Sequence, residues 1–194
     1  MSINPLINST KIAHLLLENK IKNSRVVVDA TMGNGYDTLF LCQNVLPKGI
    51  VYAFDIQETA VNHTLKLLKD HGYSSELESE ILCIKDSHEN FDKYILESVD
   101  VFMYNLGYLP GGDKSIVTLS RSTIKSLQSA FSLLNVGGIV SIIIYYRHPG
   151  GGLEKQAVEN YLENLSNHEF RIFQGSMPYN DHCPPIIYMI EKLR

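Results

Sequence analysis

Residues 25–38 read RVVVDATMGNGYDT. Three consecutive valines ending on an acid suit a strand covered on both faces. Gly33 and Gly35 then let the chain turn sharply and approach a ligand closely. The helix that follows aims its free N–H groups at that turn, which suits a carboxylate or phosphate. A strand, a glycine turn and a helix make the first unit of a parallel α/β sheet.

The rest of the chain repeats that unit. Strand expectations are 25–30, 50–55, 80–84, 99–104 and 139–145. Helical patterns fall at 57–71, 120–134 and 152–165, with a leading helix over 5–19. In the leading helix Ile12, Leu15 and Leu16 are the expected apolar stripe. In 57–71 the stripe is Ala60, Val61, Thr64, Leu65 and Leu68. In 120–134 it is Ile124, Leu127, Phe131 and Leu134, stopped by Gly137 and Gly138. In 152–165 it is Leu153, Ala157, Tyr161, Leu162 and Leu165. After the last helix the alternation breaks, and 170–175 and 186–192 read as an antiparallel hairpin at the sheet edge. The sum is a seven-stranded, Rossmann-like α/β sheet, mostly parallel with an antiparallel C-terminal strand. Ligands of such sheets bind at the strand carboxyl ends.

At 194 residues a single domain spanning 1–194 is expected, and 44% apolar residues suffice for its core. Lys and Arg number 17 and Asp and Glu 21, a net charge of −4 that does not announce a nucleic-acid binder. Cys42, Cys83 and Cys183 are far apart and odd in number, so a reducing cytoplasm is expected rather than a disulfide framework or zinc site. No signal peptide or membrane-spanning run is read, and no metal is expected.

Asp55 ends the second strand 20 residues after Gly35, the usual place for an acid that bonds a ribose hydroxyl pair. A dinucleotide loop, G-x-G-x-x-G, would need a glycine where Thr38 stands. A loop for S-adenosylmethionine places an acid before alternating glycines; Asp29, Gly33 and Gly35 match, with Thr31 for the first glycine. A carboxylate there favours a cation and repels a pyrophosphate. Asp86 and Ser87, after the third strand, stand where methyltransferases hold the adenine amino group, although such residues also cap helices.

The fourth strand runs into YNLGYLPGGDK, residues 104–114. An amide carbonyl at Asn105 can accept amine hydrogens and aim the nitrogen lone pair, and Tyr108 can stack on a planar base. Pro110, Gly111 and Gly112 would shape the loop. No cysteine is present for carbon methylation, and Asp113 is the loop's one carboxylate, too few for metal-assisted oxygen methylation. After the fifth strand, YYRHPGGG (145–152) puts Tyr145, Tyr146, Arg147 and His148 on the same rim. Tyr146 and Arg147 are candidate base and phosphate contacts, and His148 a candidate proton acceptor or relay. The 178–185 stretch would form a wall of the mouth.

Together DATMGNGYDT, AFDIQ, NLGYLPGGDK, YRHPGGG and PPIIYMIEK resemble a small bacterial class I methyltransferase family long labelled "putative rRNA methylase". The resemblance covers the whole chain; NLGYLPGGDK and the HPGG step are its specific parts. It implies S-adenosylmethionine as cofactor and, as activity, methylation of the aminomethyl group of a tRNA wobble uridine, by a homodimer that contacts the anticodon loop. It implies Asp29, Gly33, Asn34, Gly35, Asp37 and Thr38 at the methionine end, and Asp55, Gln57, Asp86 and Ser87 at the adenosine. Asn105, Tyr108 and His148 would face the acceptor. Rival readings are ribosomal RNA or a small-molecule amine as acceptor, a non-catalytic module that keeps the cofactor pocket, and a nicotinamide dehydrogenase.

Overall fold

The computed structural model describes residues 8–73, 80–109, 111–112, 116–177 and 183–194. The start of the expected leading helix, Pro110, Asp113 and the 178–182 part of the mouth wall lie outside them. In chain order the elements are α1 (Ser9–Ile21), β1 (Val26–Asp29), α2 (Tyr36–Val45), β2 (Ile50–Asp55), α3 (Glu58–Asp70) and β3 (Ile81–Lys85). A 3-10 helix (His88–Lys93) follows, then β4 (Val99–Leu106), α4 (Ser120–Leu133), β5 (Leu134–Ile144), α5 (Gly151–Glu163), β6 (Phe170–Gly175) and β7 (Ile186–Lys192).

The seven strands form one sheet in the order β3-β2-β1-β4-β5-β7-β6. The first five are parallel; β7 is antiparallel to both β5 and β6. The order reverses between β1 and β4, so their carboxyl ends splay the loops apart and open a crevice. Strand periodicity sorts the core into two layers. Val26 and Val28 face α4, α5 and the 3-10 helix, with Phe54, Phe102, Ile142, Leu127 and Val158. Val27 faces α1, α2 and α3, with Val51, Val101, Leu17, Leu41 and Leu68. Cys42 and Cys83 belong to this second layer, where burial pushes both thiols up to about 12.

Several expectations need correction, beginning with α3, whose buried line is Ala60, Thr64 and Leu68 at spacings of four, which leaves Leu65 50% exposed. The leading helix turns a different face inward: Ser9, Ala13, Leu17 and Ile21 are buried, while Leu15 and Leu16 are 55% and 48% exposed. Small Ala13 lets α1 lie close to Ile143 of β5 and Ile187 of β7, and that contact sets the rotation. In α5 the buried line is Glu154, Val158 and Leu162, with Leu153 outside, because Glu154 has hydroxyl partners inside the fold. Finally, Gly137 and Gly138 do not stop α4; it ends at Leu133, and β5 begins at once and runs through both glycines. β4 likewise continues two residues past Tyr104, so Asn105 is a strand residue, in register with Ile143.

Candidate active site

The loop after β1 is fastened from within. Asp29 is fully buried; it accepts the Thr31 N–H at 3.1 Å and the Thr38 hydroxyl at 2.6 Å. Burial, reinforced by the nearby Asp37 charge, pushes its carboxyl up to about 7 against the bond from Thr38. Asp29 and Thr38 therefore meet each other beneath the loop rather than on its surface. Gly35, with φ +83°, caps α2, and a Cβ there would come within 2.7 Å of Thr64 Oγ1 and 2.9 Å of its Cα. Glycine is required both for the dihedral and for the close passage of α3. Asn34 is half-buried between the two glycines.

Asp55 accepts the Gly33 N–H at 3.0 Å on one oxygen and the Gln57 N–H at 2.9 Å on the other. Each oxygen keeps a lone pair, enough for a pair of ribose hydroxyls. Gln57 precedes α3 and its side chain makes no capping bond. Asp86 accepts from the Ser87 N–H, Asn90 Nδ2 and the Tyr94 hydroxyl. Partial burial opposes its charge, but the bonds from Asn90 and Tyr94 outweigh it and hold the carboxyl below its usual range. The Ser87 hydroxyl accepts the Glu89 N–H and so caps the 3-10 helix. Next to it, buried His88 donates Nδ1–H to the Ala30 carbonyl at 3.1 Å, and burial depresses its pKa.

The β4 corner is built differently. The Asn105 N–H donates to Thr31 Oγ1 at 2.7 Å, tying this strand end to the first loop. Its side-chain Nδ2 donates to Asp37, whose other oxygen receives His14 Nε2 at 2.6 Å. Its Oδ1 is buried and has no partner. A buried acceptor left unmade costs about 1–3 kcal/mol, so the position is one a ligand donor would relieve. Past Asn105 the backbone turns at Gly107 (φ +152°), where a Cβ would sit 3.3 Å from that of Tyr145. Tyr108 is 40% exposed and meets the His148 ring edge-to-face at 6.0 Å. The Gly112 N–H donates to the Leu109 carbonyl at 2.9 Å. The loop returns at Thr118, whose N–H donates to the Gly107 carbonyl and whose hydroxyl accepts the Gly107 N–H. That hydroxyl and the one of Thr123 both donate at 2.6 Å to Glu154, which is 2% exposed.

The β5 rim is partly as expected. Tyr146 packs half-buried on the core under Lys155 Nζ, 5.7 Å from the ring centroid, so only part of it faces outward. Arg147 is exposed. His148 donates Nδ1–H to the Pro149 carbonyl at 3.1 Å, and its Nε2 is buried without a partner.

Thus the fold brings Asp29, Thr38, Gly33, Asn34, Gly35, Asp55 and Gln57 to one side of the β1/β4 crevice and Asn105, Tyr108 and His148 to the other. Asp37 bridges them, reaching Asn105 rather than the loop interior. Asp86 and Ser87 organise the turn after β3. Sequence reading missed His14, Thr31 as a tie, and Glu154. His14 carried no local signal, since only the packing of α1 on α2 brings it to Asp37. Among the described residues no group of His, Cys, Asp and Glu could hold a metal ion, and no helix is long and apolar enough to cross a membrane.

This sheet order, with its crevice between β1 and β4, defines a Rossmann-like methyltransferase. The chain belongs to the family described as "Putative rRNA methylase", whose profile matches residues 51–191. It is 35% identical over 191 residues to the chloroplastic tRNA (mnm(5)s(2)U34)-methyltransferase of Arabidopsis thaliana, spanning 95% of this chain and 69% of that protein. A crystal structure of the same description from Clostridium thermocellum superposes with TM-score 0.86 at 39% identity, covering 99% of this chain and all of that one. A Streptococcus mutans chain solved in complex with SAH gives 0.80 at 31% identity, over the full length of both.

Proposed function

We infer that this methyltransferase uses S-adenosylmethionine to methylate the amino nitrogen of an aminomethyl group on a tRNA wobble uridine. The observation that carries the reading is the buried Asn105 Oδ1, an acceptor without a donor at the end of β4. The cofactor suits the residues opposite. Asp55 keeps lone pairs for the ribose, Gly33 to Gly35 give the turn, and the α2 N-terminus would take the methionine carboxylate. When bound, it supplies an electrophilic methyl group.

Asn105 Oδ1 accepts an N–H of the incoming amine, which leaves the nitrogen lone pair free to be aimed. A free alkylamine has a Lys-like pKa near ~10, so it arrives as an ammonium and must lose a proton before it can attack. A site that withdraws it from water favours the neutral form. Tyr108 and His148 form an aromatic edge for the uracil ring, and Arg147 reaches a flanking phosphate. The Arabidopsis relative, named for the same modified nucleoside, supports the acceptor. The reading carries with it a single-domain enzyme that acts as a homodimer in the cytoplasm and contacts the anticodon loop.

The test is the nucleoside profile of tRNA from cells lacking the gene. Accumulated aminomethyl-thiouridine, methylated on addition of the purified protein, is the expected result. Unchanged tRNA with undermethylated ribosomal RNA or a free amine substrate would overturn it.

A further inference from the structure

Asn105 has two chemically different ends, and they are nearly equal in shape. Which one meets the substrate decides what the site selects. A carboxylate has lone pairs and no hydrogen, so the end of Asn105 that meets Asp37 must be its NH2. The carbonyl is thereby turned the other way, where it is buried and unpaired. Asp37 is in turn fixed from α1. His14 Nε2 lies 2.6 Å from its other oxygen, and both side chains are nearly closed to solvent, 11% and 5% exposed. The His14 ring is stacked flat on Phe40, with centroids 3.8 Å apart and planes within 3°. Asp37 also stands in the first turn of α2, where the helix end favours a negative group.

We propose that His14 and Asp37 are a positioning relay that locks the Asn105 amide with its carbonyl toward the acceptor, so that the site selects a nucleophile that carries a hydrogen to donate, as an amine does. The proposal rests on the amine-methylation reading for its substrate, but not for its geometry. Without the relay the amide turns over freely, and its NH2 end then opposes the amine hydrogens. His14 touches neither substrate nor cofactor in this scheme; it acts through Asp37 on Asn105.

The test reads the side-chain amide of Asn105 by NMR in the full-length protein, assigned by its disappearance in Asn105→Ser. In the wild type it should exchange slowly with solvent. In His14→Ala and Asp37→Asn exchange should quicken about tenfold or more, while His14→Gln, which keeps a donor at the same reach, should stay within about twofold. Turnover on amine-bearing tRNA should follow the same order, with kcat down about tenfold in His14→Ala and cofactor affinity unchanged. Wild-type exchange and kcat in both His14→Ala and Asp37→Asn would sink the relay. So would equal loss in His14→Ala and His14→Gln, which marks a packing role. If the wild type methylates no amine, the functional reading falls alone, because amide exchange still decides the relay.

Discussion

The two sides of the crevice are loops at the ends of adjacent parallel strands, yet they treat polar groups in opposite ways. At the ends of β1 and β2 both acids are satisfied internally, Asp29 by Thr31 and Thr38, Asp55 by Gly33 and Gln57. After β4 and β5 two buried polar atoms, Asn105 Oδ1 and His148 Nε2, have no partner. The first side is a frame whose acids hold its shape from within, and the open polar atom there, His88 Nε2, sits behind the Ala30 carbonyl rather than at the acceptor corner. The second is complete only with something else in it. A cofactor site benefits from being preformed, whereas an acceptor site gains selectivity from a valence that only the right donor fills.

That contrast can be broken by substitution. Asn105→Ala removes the open valence and, from the frame, only the donor to Asp37. Its kcat should fall roughly 100-fold, with cofactor affinity unchanged by calorimetry; a variant that turns over normally ends the assignment. Gly35→Ala attacks the frame. The strained φ and the collision with Thr64 should cost about 2–3 kcal/mol, read as a lower melting temperature. No change in melting would mean that α3 yields easily. Asp55→Ala should weaken cofactor binding about tenfold, close to 1.4 kcal/mol, through lost ribose bonds and a loosened Gly33. Equal affinity for both proteins would remove Asp55 from the site.

A further test is a pH dependence. Asp29 in the fold keeps its proton up to about 7, from an ordinary value of 3.8. Between about 4 and 7 the folded state thus binds the extra proton, and stability from this group is lost as pH rises through that window. Denaturant titrations of wild type and Asp29→Asn should differ by a slope of that sign. Parallel curves would show that Asp29 is ionised in the fold throughout.

The frame was far more legible in the sequence than the open side. Three valines, two glycines and an acid 20 residues on are local signals with local causes, and β2, β6 and β7 begin and end where their apolar runs do. Helix faces were harder. In α1 the leucines at 15 and 16 outrank Ala13 on any hydrophobicity scale, but the tight space over Ile143 and Ile187 favours the small residue. In α5 a buried glutamate contradicts its residue type until two threonines from distant positions are known to face it. His14 belongs to the same class: its neighbours Asp37 and Phe40 are 23 and 26 residues away, and no spacing rule connects them.

Glu154 has a consequence for what the β4 loop tolerates. The side-chain bonds that close this loop run one way: Gly107 donates to the Thr118 hydroxyl, and that hydroxyl donates to the carboxylate. Such a chain has a polarity, and it must end on a group that only accepts. Glutamine at 154 has the right size, but its NH2 end would put a donor where one threonine needs an acceptor, and the mismatch would pass back to Gly107. The shape of the acceptor loop is therefore written partly in the hydrogen-bond valence of a buried side chain on another helix.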